Sequence, residues 1–147
     1  MTDPFQHPGH TLVAALEAVA LDNLHERACR ARPGAVIRRL RGAKCADERG
    51  FFDEAMAALQ FPQYSAANWN AFDEGLAQYW LPADGILIIV ADAQRAFVDR
   101  PAALATLGTI VANLASRPLR LLLQAPPAEH AALVARLAGA AVPHWSL

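Results

Sequence analysis

Apolar positions along the chain fall into short continuous runs and longer helical stripes. The runs "AVIRRL", "ILIIVA" and "LRLLL" predict β-strands over about residues 36–40, 86–90 and 119–123. "ILIIVA" is apolar throughout, as strands covered on both faces are, and "LRLLL" is read as another buried strand. "GHTLVAALEAVALDNLHERA" sets Leu12, Leu16, Val19 and Leu24 near one side, which predicts a helix over about 10–30, stopped by "RPGA". "DERGFFDEAMAALQF" predicts a second helix, with Phe52, Met56 and Leu59 on one face and acids in its first turns, where the helix dipole favours them. "FPQYSAA" is a loop, Asn68 a helix cap, and the helix it opens stops before "LPADG". "DAQRAF" is a short helical turn. Pro101 opens a helix to about residue 116, and "PPAEHAALVARLAG" predicts a final helix over about 127–139, ended by Gly139. The tail "AAVPHWSL" exposes Trp145 unless it packs back.

Strand, helices, strand, helices, strand predicts an α/β fold: a small three-stranded parallel sheet packed by helices, with additional helices at both ends. At 147 residues this is one domain, 1–147.

The helix after Asn68 has two unlike sides. With Trp69 at zero and about 100° per residue, Phe72, Leu76, Tyr79 and Trp80 fall together with Trp69. These aromatics are read as core anchors, with Tyr79 at the edge. Asn70, Glu74, Ala77 and Gln78 fall on the other side, and Asp73 lies on the shoulder. Tyr64 sits in the preceding loop.

Charge sharpens this picture. The net formal charge is only −1, yet residues 50–94 contain no Lys or Arg and hold Asp53, Glu54, Asp73, Glu74, Asp84 and Asp92. Residues 27–49 hold eight basic residues against Asp47 and Glu48. The bland reading is two solvated faces; the sharper one is an acidic surface for a basic partner. With 54% apolar residues the chain can bury a core. Asp3 stands where a secretory leader would be basic, and no apolar run is long enough to cross a bilayer, so a cytoplasmic protein is expected. Cys29 and Cys45 form no framework, and whether they meet is open.

Catalytic chemistry is hard to find. Ser65, Ser116 and Ser146 lack a triad context, no Gly-rich phosphate loop is present, and the five histidines have no ligand spacing. Asp73 and Glu74 are adjacent, so on a helix they diverge by about 100° and do not converge on one substrate. No enzyme activity, metal or cofactor is expected.

"AALQFPQYSAANWNAFDEGL" followed by "LPADGILIIVADAQ" resembles the signature region of barstar-like proteins, the intracellular inhibitors of barnase-type ribonucleases. Pro62, Tyr64, Asn68, Trp69, Ala71, Phe72, Glu74 and Leu76 carry the match, which is specific over about residues 51–91. The strand and helix order agrees as far as about residue 124, so the resemblance implies a family core of about 35–124, with the terminal helices as additions. It also implies an inhibitor, or a related toxin-immunity protein, that plugs a ribonuclease active site with an acidic helix. Glu74 matches the principal active-site carboxylate, Tyr64 the stacking tyrosine of the loop, Asn68 the asparagine at the helix start and Asn70 a helix-top aspartate. Asp73, Ala77 and Gln78 complete the expected contact set. Asn70 in place of an acid, and Ser65 and Ala66 in place of a Tyr/Phe-Gly pair, depart from the family pattern.

The expected partner is therefore a basic extracellular-type ribonuclease or toxin domain, with no direct nucleic-acid or membrane partner. The alternative is a non-inhibitory interaction domain on the same scaffold. A nucleic-acid binder using residues 27–49 is disfavoured, because Arg38, Arg39 and Arg41 straddle a strand and its end without interleaved stacking aromatics.

Overall fold

The computed structural model describes residues 3–62, 66–78 and 84–147. Five strands form one sheet: β1 (Thr11–Ala15), β2 (Val36–Arg41), β3 (Ile86–Ala91), β4 (Leu119–Ala125) and β5 (Trp145–Ser146). Their order is β2-β3-β4-β1-β5, and each observed pairing is parallel. The helices are α1 (Ala18–Ala31), α2 (Glu48–Leu59), α3 (Trp69–Gln78), α4 (Ala103–Asn113) and α5 (Pro127–Gly139).

The expected three-stranded sheet is thus corrected to five strands. The three aliphatic runs do form β2, β3 and β4, side by side and parallel. The two extra strands come from the ends of the chain. The expected helix over 10–30 begins only at Ala18, because 11–15 is strand β1, in register with β4 from Thr11 opposite Leu121 to Ala15 opposite Ala125. Val19, placed on the apolar side by the helical reading, is 71% exposed, whereas 11–14 is buried without interruption. A run of that length fits a buried strand and a helix turn equally well by periodicity. At the other end the tail packs back: Trp145 and Ser146 pair with Leu12 and Val13. Trp145 lies over Gly9, with its ring centroid 5.0 Å from that of His10.

Alternate strand residues supply two cores. Ile86, Ile88, Val90, Leu119, Leu121 and Leu123 face the larger one, with buried side chains from α2, α3, α4 and α5. Leu87, Ile89, Leu122 and Leu12 face a smaller one, closed by Leu21, Leu24 and Ala28 of α1. Gly85 enters β3 at φ +103°, and a Cβ there would meet the Pro118 carbonyl and the Phe5 ring. Cys29 is exposed and Cys45 buried; both are free thiols. Burial pushes the Cys45 thiol up to about 12, and its Sγ–H donates to the Arg41 carbonyl at 3.3 Å. Among the described residues no helix is long and apolar enough to cross a membrane.

Candidate functional site

Helix α3 is built for one buried side. Asn68 caps it: its Oδ1 accepts from the Ala71 N–H at 2.8 Å, and its carbonyl accepts from Phe72. Phe72 and Leu76 are buried. Gly75 lies so close to the Phe61 ring that a Cβ would stand 2.6 Å from it, so glycine sets the approach of the helix to the loop behind it. Trp69 is half-buried and stacks on Phe51 with centroids 5.3 Å apart, within a cluster that includes Phe52, Phe72 and Phe97.

Polar contacts from outside hold both ends of α3. At the start, the Trp69 Nε1–H donates to Glu48 of α2, and the Glu48 carboxylate also pairs with Arg100 at 3.5 Å. At the end, Arg117 Nη1 donates to the Ala77 carbonyl at 2.8 Å. That contact is where a helix offers unsatisfied carbonyls and attracts a cation.

Asn70, Glu74 and Gln78 are exposed at four-residue spacing and form one outward stripe. Asp73 and Ala77 are half-buried along its edge, and Asn68 is exposed at its head. Among the described residues, neither Asp73 nor Glu74 enters an ion pair or accepts a side-chain hydrogen bond. Six of the seven expected contact residues therefore lie on or beside one helix face. The seventh, Tyr64, lies outside the described residues, as do Tyr79 and Trp80. Sequence reading missed Arg117 and Glu48. Both act on α3 from far along the chain, and only the three-dimensional fold carries that signal.

The basic segment is used differently. Arg39 pairs with Asp22 at 2.6 Å, Arg30 with Glu26 at 3.2 Å, and Arg32 with Asp3 at 3.1 Å. The Arg32 guanidinium also sits 4.8 Å over the Phe5 ring. Arg41 grips Glu54 through Nε and Nη2, and this hydrogen bonding holds the Glu54 carboxyl below its ordinary value. Four of the eight basic side chains of residues 27–49 are thus paired with acids of the chain.

Among the described residues, two cavities lie away from α3. One of about 430 Å³ lies between Pro4 and α1, and one of about 280 Å³ lies at the end of β1 beside His130 and Ser146. No cluster of metal-ligating side chains occurs among the described residues.

A family model described as "Barstar (barnase inhibitor)" matches residues 35–124. No curated protein matches the chain. Several solved structures share the fold. A chain in "Structure of Drosophila ORC bound to DNA" aligns with TM-score 0.57 and 17% identity, over 95% of this chain and 80% of that one. A chain in the Drosophila ORC structure with AT-rich DNA and Cdc6 gives 0.55 and 17%, over 95% of this chain. This chain spans only 48% of that one. A third, from the Drosophila ORC structure with poly(dA/dT) DNA and Cdc6, gives 0.63 at 12% identity, over 93% of this chain and 25% of that one. At such identities the likeness is one of fold alone.

Proposed function

This chain belongs to the barstar family, and from that premise we propose that it is an inhibitor of a barnase-type ribonuclease, acting inside the cell by laying helix α3 into a basic active-site cleft. The observation that carries this reading is the outward stripe of α3. Glu74 is exposed there without a partner among the described residues, on a helix whose other side is anchored by Phe72 and Leu76. A rigidly held, uncompensated carboxylate steers a basic partner during encounter. It gains further when arginine or protonated histidine replaces its water in a closed interface.

Asn68, Asn70 and Gln78 supply neutral hydrogen-bonding groups around that charge, and Asp73 adds a second acid at the edge. Ala77 keeps the last turn low enough for close approach. Tyr64 is assigned to the same contact surface through its match to the family loop. On this reading the protein performs no reaction and needs no cofactor or metal: its carboxylates occupy the ground where RNA phosphates would bind.

A second reading, a non-inhibitory interaction domain, is favoured by one feature. Asn70 stands where the family carries an acid, which reduces the negative charge offered to a catalytic cleft. One experiment separates the two: titrate the purified chain into barnase while following RNA cleavage. Stoichiometric loss of cleavage supports the inhibitor, whereas full activity at a large excess of the chain removes barnase as target. A pull on other basic ribonucleases or toxin domains then decides between a different target and a non-inhibitory role.

A further inference from the structure

A cation lies beside the last described turn of α3. Arg117 projects from the turn between α4 and β4, is exposed, and bonds the Ala77 carbonyl at 2.8 Å. That acceptor is neutral, so the guanidinium keeps its full charge. Glu74 stands one turn back along the same helix, also uncompensated. The two opposite charges do not pair: the last turn of α3 holds the guanidinium at the helix end, where the partial negative charge of the carbonyls lies.

We propose that the α3 face is bipolar, acidic at Asp73 and Glu74 and cationic at its end through Arg117, and that Arg117 determines which basic clefts it accepts. The fitting partner is a cationic cleft bearing an acidic residue at the rim that meets Arg117. A cleft that is basic throughout is disfavoured, because like charges forced together across an interface reject the wrong partner. The identity of the partner rests on the inhibitor reading, whereas the sign pattern belongs to the surface itself.

Two probes keep these apart. The first is a hexa-arginine peptide titrated against the full chain, followed by backbone amide NMR. Wild type binds it weakly along residues 70–74. Arg117→Glu binds it at least threefold more tightly, with perturbations spreading to 77–78. An affinity within a factor of 1.5 of wild type overturns the bipolar face. Arg117→Gln, which keeps a donor for the Ala77 carbonyl, gives an intermediate value and serves if the reversal unfolds the chain. The second probe is barnase. Absence of binding by every variant removes barnase-type inhibition and leaves the peptide result to decide the face. Where binding occurs, Arg117→Glu shifts affinity at least tenfold. Weakening identifies an acid opposite Arg117, and tightening identifies barnase as a cleft that Arg117 rejects. A change below twofold overturns the role of Arg117 while leaving the inhibitor reading intact.

Discussion

Helices α2 and α3 pack against each other through Phe51 and Trp69, yet they treat their acids in opposite ways. On α2, Glu54 is gripped by Arg41, while Glu48 receives Trp69 and Arg100. Asp47, at its head, caps it through the Gly50 N–H at 2.8 Å. Even its exposed Asp53 stands one turn from Arg49. On α3, Asp73 and Glu74 have no such partner among the described residues, and the cation nearest its end is bound to a carbonyl. Apart from Glu48 and Arg49 at the start of α2, both helices lie within residues 50–94, which contain no Lys or Arg. The difference arises because the fold returns Arg41 and Arg100 to α2, where the acids become part of the structure. Those of α3 are the ones the proposed reading gives to a basic partner.

The sharpest way to break this contrast is to remove the anchor of α3. Phe72→Ala should destabilise the protein by about 3–5 kcal/mol in urea unfolding, the usual cost of emptying a buried aromatic site. It should abolish partner binding with the fold. Binding that survives at full strength would take the docking role away from α3. Trp69→Phe keeps most of the packing and deletes the donor to Glu48. The expected loss is about 1.5–3 kcal/mol, typical of a hydrogen bond to a charged acceptor, read from the same denaturation curves.

Acid titration probes the paired side. Arg41 lowers the Glu54 carboxyl in the folded state, so its contribution is complete above the unfolded glutamate value of about 4.3. That contribution disappears as pH falls through the lower folded value. Melting temperatures from pH 6 down to 2 should therefore fall less steeply for Glu54→Gln than for wild type. Equal slopes for the two proteins would mean that Arg41 does not hold Glu54 as described.

Much of this was legible in the sequence, and the gaps have physical causes. β3 announces itself as a continuous aliphatic run because both of its faces are covered, and β4 as a leucine-rich run interrupted by Arg120. α3 was readable from the Asn68 cap and the spacing of Trp69, Phe72 and Leu76. β1 was hidden because "TLVAAL" runs straight into α1 and shares its helical spacing. β5 has two residues and no pattern of its own; only its pairing to Leu12 and Val13 makes it a strand. The stripe of Asn70, Glu74 and Gln78 followed from helix geometry, but the Arg117 contact beside it did not, since that contact spans 40 residues. Charge counted along the chain also overstated the isolation of Glu54, which Arg41 meets across 13 residues from β2.

The most direct test compares one exposed acid from each helix. Wild type, Glu74→Ala and Asp53→Ala are titrated into barnase by calorimetry, with thermal melts of each and association rates at two salt concentrations. Glu74→Ala should lose about 2 kcal/mol or more of binding, the threshold of an interface hot spot. Its stability should stay within about 0.5 kcal/mol of wild type, as for other exposed substitutions. Wild-type association should slow as salt rises, and less so in Glu74→Ala. Asp53→Ala should bind as wild type does. Unchanged affinity in Glu74→Ala, together with lost binding in Asp53→Ala, would contradict the account and move the docking surface from α3 to α2.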